Sequence, residues 1–443
     1  MATPSATTYF TPGLEWNRSK YTNQKSRKKL FEDNVSRAEA VLKSKLSALG
    51  GLKKIVNISF SDNHGHLSSP PVFIDARSGE EAKIVENSDV ASLPKDEIVT
   101  LTIDPEYLMK LAEGKGSGDF QGINAGPGDT ISMFTIFTSM RLADLLHPNP
   151  PTPVTPASAY PPESLPKPTT DIAELRRDLV RWGYAFAKDA LSPSQVEIIK
   201  KAVLEQAAGE RKAAAEGTMA LSFEGPNQRI NALINKGDEF LDLLNDPLID
   251  EIVPWYLGDH ALLASYSVNI ANPGGFPQHL HRDQGIHGPP NNELPYGVQL
   301  AYYLVDTTDE NGATRVIPAS HLGNVAPRDR LDGSETVAAA APAGTVMIFD
   351  SRLWHGTGAN RTTDTVRPVI LTYFMRFYLR TIENFYLPLR KDVEAKLSDR
   401  HKSLLGFRVA GTAIGGVEGI KPGDPYIEHK EGRGRMRAPV VSA

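Results

Sequence analysis

The chain has no cysteine. Disulfides, thiolate nucleophiles, Cys-ligated zinc and iron–sulfur clusters are excluded at once, so a metal must be held by His, Asp or Glu. Long apolar runs are missing too: none approaches the roughly 20 residues that span a bilayer. The opening MATPSATTYF lacks the basic-then-apolar pattern of a secretory signal, and the closing PVVSA carries no peroxisomal or ER-retrieval signal. The expectation is a cytoplasmic protein with no integral membrane segment. Positive charge is not in excess: 48 Lys and Arg stand against 53 Asp and Glu, net −5, which argues against a nucleic-acid partner. No GxGxxG or Walker-type loop occurs, which argues against a dinucleotide or NTP site. What is there is an ordinary globular composition, 40% hydrophobic and 23% charged, over 443 residues. That length suits two or three domains.

The clearest boundary is PNPPTPVTPASAYPPESLPKPTT, where nine of the residues from Pro148 to Pro168 are proline. Proline fixes φ and removes a donor, so residues 148–170 read as a semi-rigid linker. Before it come an arm over 1–26, read as flexible, and an α+β segment over 27–147. KKLFEDNVSRAEAVLKSKLSALGG has helical spacing. LKKIVNISFSD and EIVTLTI alternate as half-buried strands, with Val99, Leu101 and Ile103 on one face. In DPEYLMKLAEG, Asp104 suits an N-cap, Pro105 the first turn and Gly114 the stop. ISMFTIFTSMRLADLLH reads as an apolar strand running into a helix. VTLTIDPEYLMKLAEGKGSGDFQ, together with the apolar strand and closing helix after PGDT, resembles the sterol-carrier-protein domain. That resemblance implies a hydrophobic tunnel and a lipid ligand; the residues alone leave a packing or dimerisation module, and with it a homodimer, equally open.

Beyond the linker, residues 171–443 begin with a helix, a short strand and a second helix, whose Ser192 and Gln195 form a capping box. From Ala261 the pattern turns to β: ALLASYSVNIANPG, GVQLAYYLVD, GTVMIFDSRLWHG and RPVILTYFMRFYL are strands separated by Gly, Asn and Pro, as in a barrel or sandwich.

FPQHLHRDQGIHG packs His279, His281 and His287 around Asp283. On a strand end, side chains two apart share a face. Parity then allows two pairings, His279 with His281 or His281 with Asp283. The triplet by itself also suits a surface loop. Further along, TVMIFDSRLWHGTGANRTTDTVRPVILTYF holds a single His355 at a strand end and Arg367 at the start of the return strand. One His-x-Asp pair with one distant His is the facial triad of non-haem Fe(II) oxygenases, which leaves metal positions open for a bidentate co-substrate and O2. The carboxylate argues against an iron halogenase. A guanidinium binds carboxylate bidentately, so Arg367 is the candidate for the far end of a dicarboxylate such as 2-oxoglutarate, with Arg361 as its competitor in the turn.

QHLHRD, ENGATRVIPASH, WHGTGANRT and Arg367, with WGYAFAKDALSPSQVEII ahead of them, resemble the phytanoyl-CoA dioxygenase family of Fe(II)/2-oxoglutarate oxygenases. The resemblance covers 171–443. It implies a mainly β double-stranded β-helix (jelly-roll, cupin-like) core with flanking helices, and Fe(II), 2-oxoglutarate and O2 as cofactor and co-substrates. His281, Asp283 and His355 are then the metal and catalytic residues. Thr357 joins Arg367 on the distal carboxylate, Asn269 and Gln278 are candidates near the metal-bound end, and Thr314 lines the same pocket. The implied reaction on a small-molecule substrate releases succinate and CO2 and ends in hydroxylation, desaturation or ring closure. Helices before the barrel, with FEGPNQRINAL, are expected over the pocket mouth. Arg282 and His287 are read as flanking groups, Met347 and Phe349 as wall residues, and the Gly-rich VAGTAIGGVEGIKPGDP as a flap or partner contact. Competing readings are a lipid-binding or transfer protein without catalysis, an acyl-CoA or lipid hydroxylase, oxidative cyclisation of an amino acid, and a three-histidine dioxygenase using His279.

Overall fold

The computed structural model describes residues 24–62, 67–90, 93, 98–115, 133–219, 226–286, 293–410 and 414–415. Two compact units are present, Met1–Pro150 with Ile286–Pro290, and Pro151–Gly285 with Asn291–Ala443. Of the arm expected over 1–26, residues 1–23 lie outside the described residues, and helix begins at Gln24 rather than after the arm.

The first unit runs α1 (Gln24–Ser44), α2 (Leu46–Leu49), β1 (Ile55–Phe60), β2 (Val72–Asp75), β3 (Lys83–Val85), α3 (Asn87–Val90), β4 (Ile98–Ile103), α4 (Pro105–Ala112) and α5 (Met133–Leu146). Its sheet has the order β3-β2-β1-β4, antiparallel except for the parallel β1–β4 pair. Val99, Leu101 and Ile103 point to a common core with Phe31 and Leu42 of α1, Leu108 of α4 and Leu142 of α5. Asp104 caps α4, its Oδ1 accepting from the backbone N–H groups of Glu106 and Tyr107 at 2.9 and 3.0 Å. The apolar strand expected before the closing helix is not found from Met133 on: Met133–Leu146 is one helix, and residues 131–132 lie outside the described residues. A short apolar run satisfies strand and buried-helix patterns alike, and only its length separates them.

The second unit comprises β5 (Thr152–Pro153), α6 (Ile172–Trp182), β6 (Tyr184–Ala187), α7 (Pro193–Ala215), β7 (Gln228–Ile230), α8 (Asp238–Leu243), α9 (Pro247–Leu257), β8 (Leu262–Ala271), β9 (Gly297–Tyr303), β10 (Thr314–Val316), β11 (Val325–Ala326), β12 (Val337–Ala338), β13 (Val346–Asp350), β14 (His355–Thr357), β15 (Arg367–Met375), α10 (Lys391–Glu394) and α11 (Asp399–Leu404). Much of the proline-rich segment is no free spacer. Thr152–Pro153 pairs with β11, and Val154 is buried with Leu280, Ile317 and Trp354. Proline cannot donate to a ladder, but at a sheet edge it needs no partner on its nitrogen side and its apolar ring still packs.

The larger sheet has the order β6-β13-β9-β15-β8-β7, all antiparallel; the smaller has β12-β10-β14. Alternation along each strand sorts the residues between two cores. Val346, Ile348, Val298, Leu300 and Ile370 face outward onto Leu179, Val196, Val203 and Ile252 of the helices. Met347, Phe349, Ala301, Tyr303 and Val369 face inward, onto Val316 and Ala339 of the smaller sheet side. Both faces of the larger sheet are therefore buried, which is why its strands read as nearly continuous apolar runs. The polar residues that interrupt the inner face stand out against that background.

The turn joining β13 to β14 is fixed by buried charge. The fully buried Asp350 accepts from the Arg352 backbone N–H at 2.7 Å, from Arg352 Nε at 3.0 Å and from the Tyr256 hydroxyl. Arg352 Nη1 in turn donates to the Glu293 carbonyl at 2.9 Å. Asp350→Ala leaves the Arg352 guanidinium buried without its carboxylate, and should lower unfolding free energy by about 3–5 kcal/mol in urea denaturation. A loss below about 1 kcal/mol would contradict this account of the turn.

Candidate metal centre

The centre is assembled by one backbone pair. His281 N–H donates to His355 O at 2.8 Å and His355 N–H donates to His281 O at 2.9 Å. These two bonds add residue 281 to the edge of β14 and set the imidazoles side by side, with ring centroids 4.4 Å apart. Each Nδ1 faces a main-chain carbonyl, His281 towards His279 O at 3.0 Å and His355 towards Leu353 O at 2.9 Å. A carbonyl only accepts, so Nδ1 carries a hydrogen, and Nε2 is the ring atom left to meet a metal. Both Nε2 atoms lie 3.6 Å from Asp283 Oδ1. Burial, reinforced by the neighbouring His355, pushes His281 down to about 4, so its ring is neutral near pH 7.

Asp283 opens a short turn, Asp283–Ile286, and the residue after it anchors that turn. Gln284 donates its backbone N–H to Ser351 O at 2.9 Å. Its side-chain oxygen accepts from Tyr296 N–H at 2.8 Å and Ser351 Oγ at 3.0 Å, and its amide nitrogen donates to Leu294 O at 3.0 Å. One Asp283 oxygen, Oδ2, is buried with no hydrogen-bond partner. A buried carboxylate oxygen without a donor is costly unless a cation meets it. One ligand atom from each of His281, Asp283 and His355 lies within 4.8 Å of the others. Two imidazoles and a carboxylate fit Fe(II).

The same cavity, about 240 Å³, reaches the other expected residues: Asn269, Gln278, Thr314, Thr357 and Arg367 all line it. Thr357 is opposite Thr314 across the β10–β14 ladder. Asn269 Nδ2 donates to Thr357 Oγ1 at 2.7 Å, and Gln278 Oε1 accepts from Thr357 N–H at 3.1 Å and from its hydroxyl at 2.5 Å. Arg367, 1% exposed, donates Nη2 to Gly312 O, while Nε is buried without a partner. No carboxylate of the described residues pairs with it. Burial lowers its pKa to about 10, which still leaves it charged. A buried guanidinium in that state fits an anionic ligand such as the distal carboxylate of 2-oxoglutarate.

Other sequence candidates go elsewhere. The His279 ring lies 5.1 Å from that of His281 but lines no part of this cavity, and burial pushes it down to about 3. Arg282 stacks over Trp354, 5.0 Å from the ring centre. Arg361 is exposed and bridges Asp309 and Glu310. Phe349 lines the cavity, whereas Met347 is core and accepts from the Tyr303 hydroxyl. His287, residues 223–225 of the expected mouth cover and most of the Gly-rich C-terminal stretch lie outside the described residues. Arg229 and Asn231, from the stretch expected over the mouth, line the cavity; sequence reading missed Ser265, Ser267, Gln299, Tyr373 and Glu383, which also line it. A signal existed for Ser265 and Ser267: with the expected Asn269 they make ASYSVNIA polar at every second residue, an alternation out of place in a strand buried on both faces.

A jelly roll with two imidazoles, a carboxylate and a buried arginine around one cavity defines the class of non-haem Fe(II) oxygenases that use an oxoacid. The phytanoyl-CoA dioxygenase (PhyH) family model matches residues 179–369. Over 230 residues the chain is 31% identical to dioxygenase af480 of Aspergillus fumigatus, an alignment covering 49% of this chain and 74% of that protein. Over 176 residues it is 34% identical to dioxygenase swnH1 of Metarhizium robertsii, covering 38% and 56%. The solved structure of AviO1 from Streptomyces viridochromogenes aligns over 47% of this chain and 96% of its own, at 22% identity and a TM-score of 0.38. The chain belongs to the phytanoyl-CoA dioxygenase family, whose enzymes are Fe(II)- and 2-oxoglutarate-dependent dioxygenases.

Asp283→Ala should abolish Mn(II) binding in calorimetric titration, and His279→Ala should retain it. Equal loss in both would reassign the ligand set to three histidines.

Proposed function

We propose that His281, Asp283 and His355 hold Fe(II), that Arg367, Thr357, Gln278, Asn269 and Thr314 hold 2-oxoglutarate, and that the enzyme oxidises a C–H bond of a small organic metabolite in secondary metabolism. One observation carries the reading: Arg367, buried and with no carboxylate partner among the described residues, lies on the same 240 Å³ cavity as the His–Asp–His group. When bound, Fe(II) with 2-oxoglutarate and O2 supplies oxidation of an unactivated C–H bond, with release of succinate and CO2. The chain's share is ligation, orientation and shelter. The carbonyls of His279 and Leu353 fix the imidazole tautomers, Gln284 and Ser351 fix the turn that carries Asp283, and Arg367 draws one end of the diacid to a set depth. Hydroxylation, desaturation and ring closure all suit this arrangement. For the first unit we keep the sterol-carrier-like reading over residues 27–147, which its strand order and its helices around one apolar core support.

Under anaerobic conditions, Fe(II) plus 2-oxoglutarate should give a weak visible charge-transfer band, followed by succinate on admitting O2. Absence of both band and bound metal would return the chain to a binding protein. Arg367→Met should abolish the band at 2-oxoglutarate concentrations below about millimolar, because the proposed anchor of the distal carboxylate is lost. The same substitution should raise the melting temperature of the ligand-free protein, because it removes a buried charge that has no carboxylate partner. A lower melting temperature would mean that Arg367 serves the fold rather than the ligand.

A further inference from the structure

The cavity floor is the inner face of the larger sheet, and strand register divides it into rows. Arg367 stands beside Ala271, and Val369 beside Tyr303 and Asn269. Leu371 stands beside Ala301 and Ser267; Tyr373 stands beside Gln299 and Ser265, with Phe349 beyond Gln299. Successive rows are about 6.8 Å apart, so Arg367 and Tyr373 are separated by about 20 Å of strand. A five-carbon diacid anchored at Arg367 cannot span that length. The floor therefore extends beyond the co-substrate's reach: past Arg367 come Val369 and Leu371, with Asn269 and Ser267 beside them, and then the Tyr373 row.

The far end is built around Tyr373. Its side chain is 1% exposed, lines the cavity, and carries a buried hydroxyl with no hydrogen-bond partner. The neighbouring Ser351 hydroxyl accepts from Gly297 N–H at 3.1 Å and donates to Gln284, so towards the phenol it can offer only a remaining lone pair, at a distance beyond a regular hydrogen bond. Residue 297 is glycine where the phenol needs the space: a Cβ there would lie 2.4 Å from the Tyr373 hydroxyl. The ladder also shifts register beside it, between Tyr373 and Phe374, leaving Ala264 as the extra residue on β8. Such bulges re-aim neighbouring side chains. Missing side-chain bulk and an irregular ladder together set the phenol in the cavity wall, and an unmet buried hydroxyl is costly unless a ligand meets it.

Resting on the dioxygenase reading, we propose that Tyr373, with Gln299 and Ser265 beside it, is the substrate-recognition row. The substrate is then an oxygenated small molecule that presents a carbonyl or hydroxyl oxygen to the Tyr373 hydroxyl, not a bare acyl chain. The apolar stretch of Val369 and Leu371 packs its carbon skeleton, and the reacting C–H bond lies between that stretch and the His–Asp–His group.

The test uses the full chain loaded with Mn(II) and 2-oxoglutarate, which binds substrate without turnover. Cyclic ketones from cyclohexanone to 1-decalone are compared with their exocyclic-methylene isosteres by equilibrium dialysis. The wild type should favour the ketones about tenfold, one neutral hydrogen bond's worth. Tyr373→Phe and Gln299→Leu should each reduce that preference, Tyr373→Phe to near parity, with Mn(II) affinity unchanged. The proposal is overturned if the wild type shows no ketone preference or binds no ketone, or if the preference survives in both variants. Weakened Mn(II) binding in Tyr373→Phe would also overturn it, by assigning the phenol to Asp283. Failure of the wild type to take up Mn(II) and 2-oxoglutarate is a different result, and removes the dioxygenase reading itself.

Discussion

Everything in the second unit's candidate site depends on two hydrogen bonds between residues 74 positions apart in the chain, His281 to His355 and back. They join a segment with no strand of its own to the edge of the smaller sheet. Because the pair is hydrogen-bonded in both directions, neither residue can slip without losing both bonds, and the imidazoles must lie on the same side. The neighbouring carbonyls then settle which nitrogen is free. The candidate metal site is thus a property of backbone register first and of side-chain chemistry second.

The interior around it tolerates polarity that a sandwich core normally excludes. Asp350 and Arg352 neutralise each other next to the ligand turn, so their burial rigidifies it. Among the described residues nothing neutralises Arg367 or Asp283: one guanidinium nitrogen and one carboxylate oxygen stay buried without partners. They flank one cavity and carry opposite signs, which is what a cation and a diacid bound together require. A stable fold that keeps two such deficits draws on the large apolar cores on either side of the sheet.

The His–Asp–His group and Arg367 were legible in the sequence because their types are uncommon together. A His-x-Asp at a strand end, a lone distant His and an Arg opening the return strand have few other uses in combination. The strands were legible from alternation and from Gly, Asn and Pro between them. Three kinds of feature were not. Gln284 and Ser351 meet only after the chain has folded, and neither residue type signals a brace. Tyr373 looks like one more aromatic in RPVILTYFMRFYL; its place beside Gln299 and over Gly297 comes from register and from an irregularity at Ala264 that no periodicity contains. Met133–Leu146 misleads for the opposite reason: its apolar run carries too much hydrophobicity and too little pattern to tell a strand from a buried helix.

The row structure of the floor has an evolutionary consequence. Residues on one strand face but six positions apart share no neighbours, and changes at such distances combine nearly additively. Substitutions around Tyr373 can thus redraw the shape and polarity of that part of the cavity without disturbing Arg367. On the proposed reading, a lineage built on this sheet can diversify one row at a time, while Arg367 stays fixed at the other end of the same strand and the His–Asp–His group stays fixed on other segments.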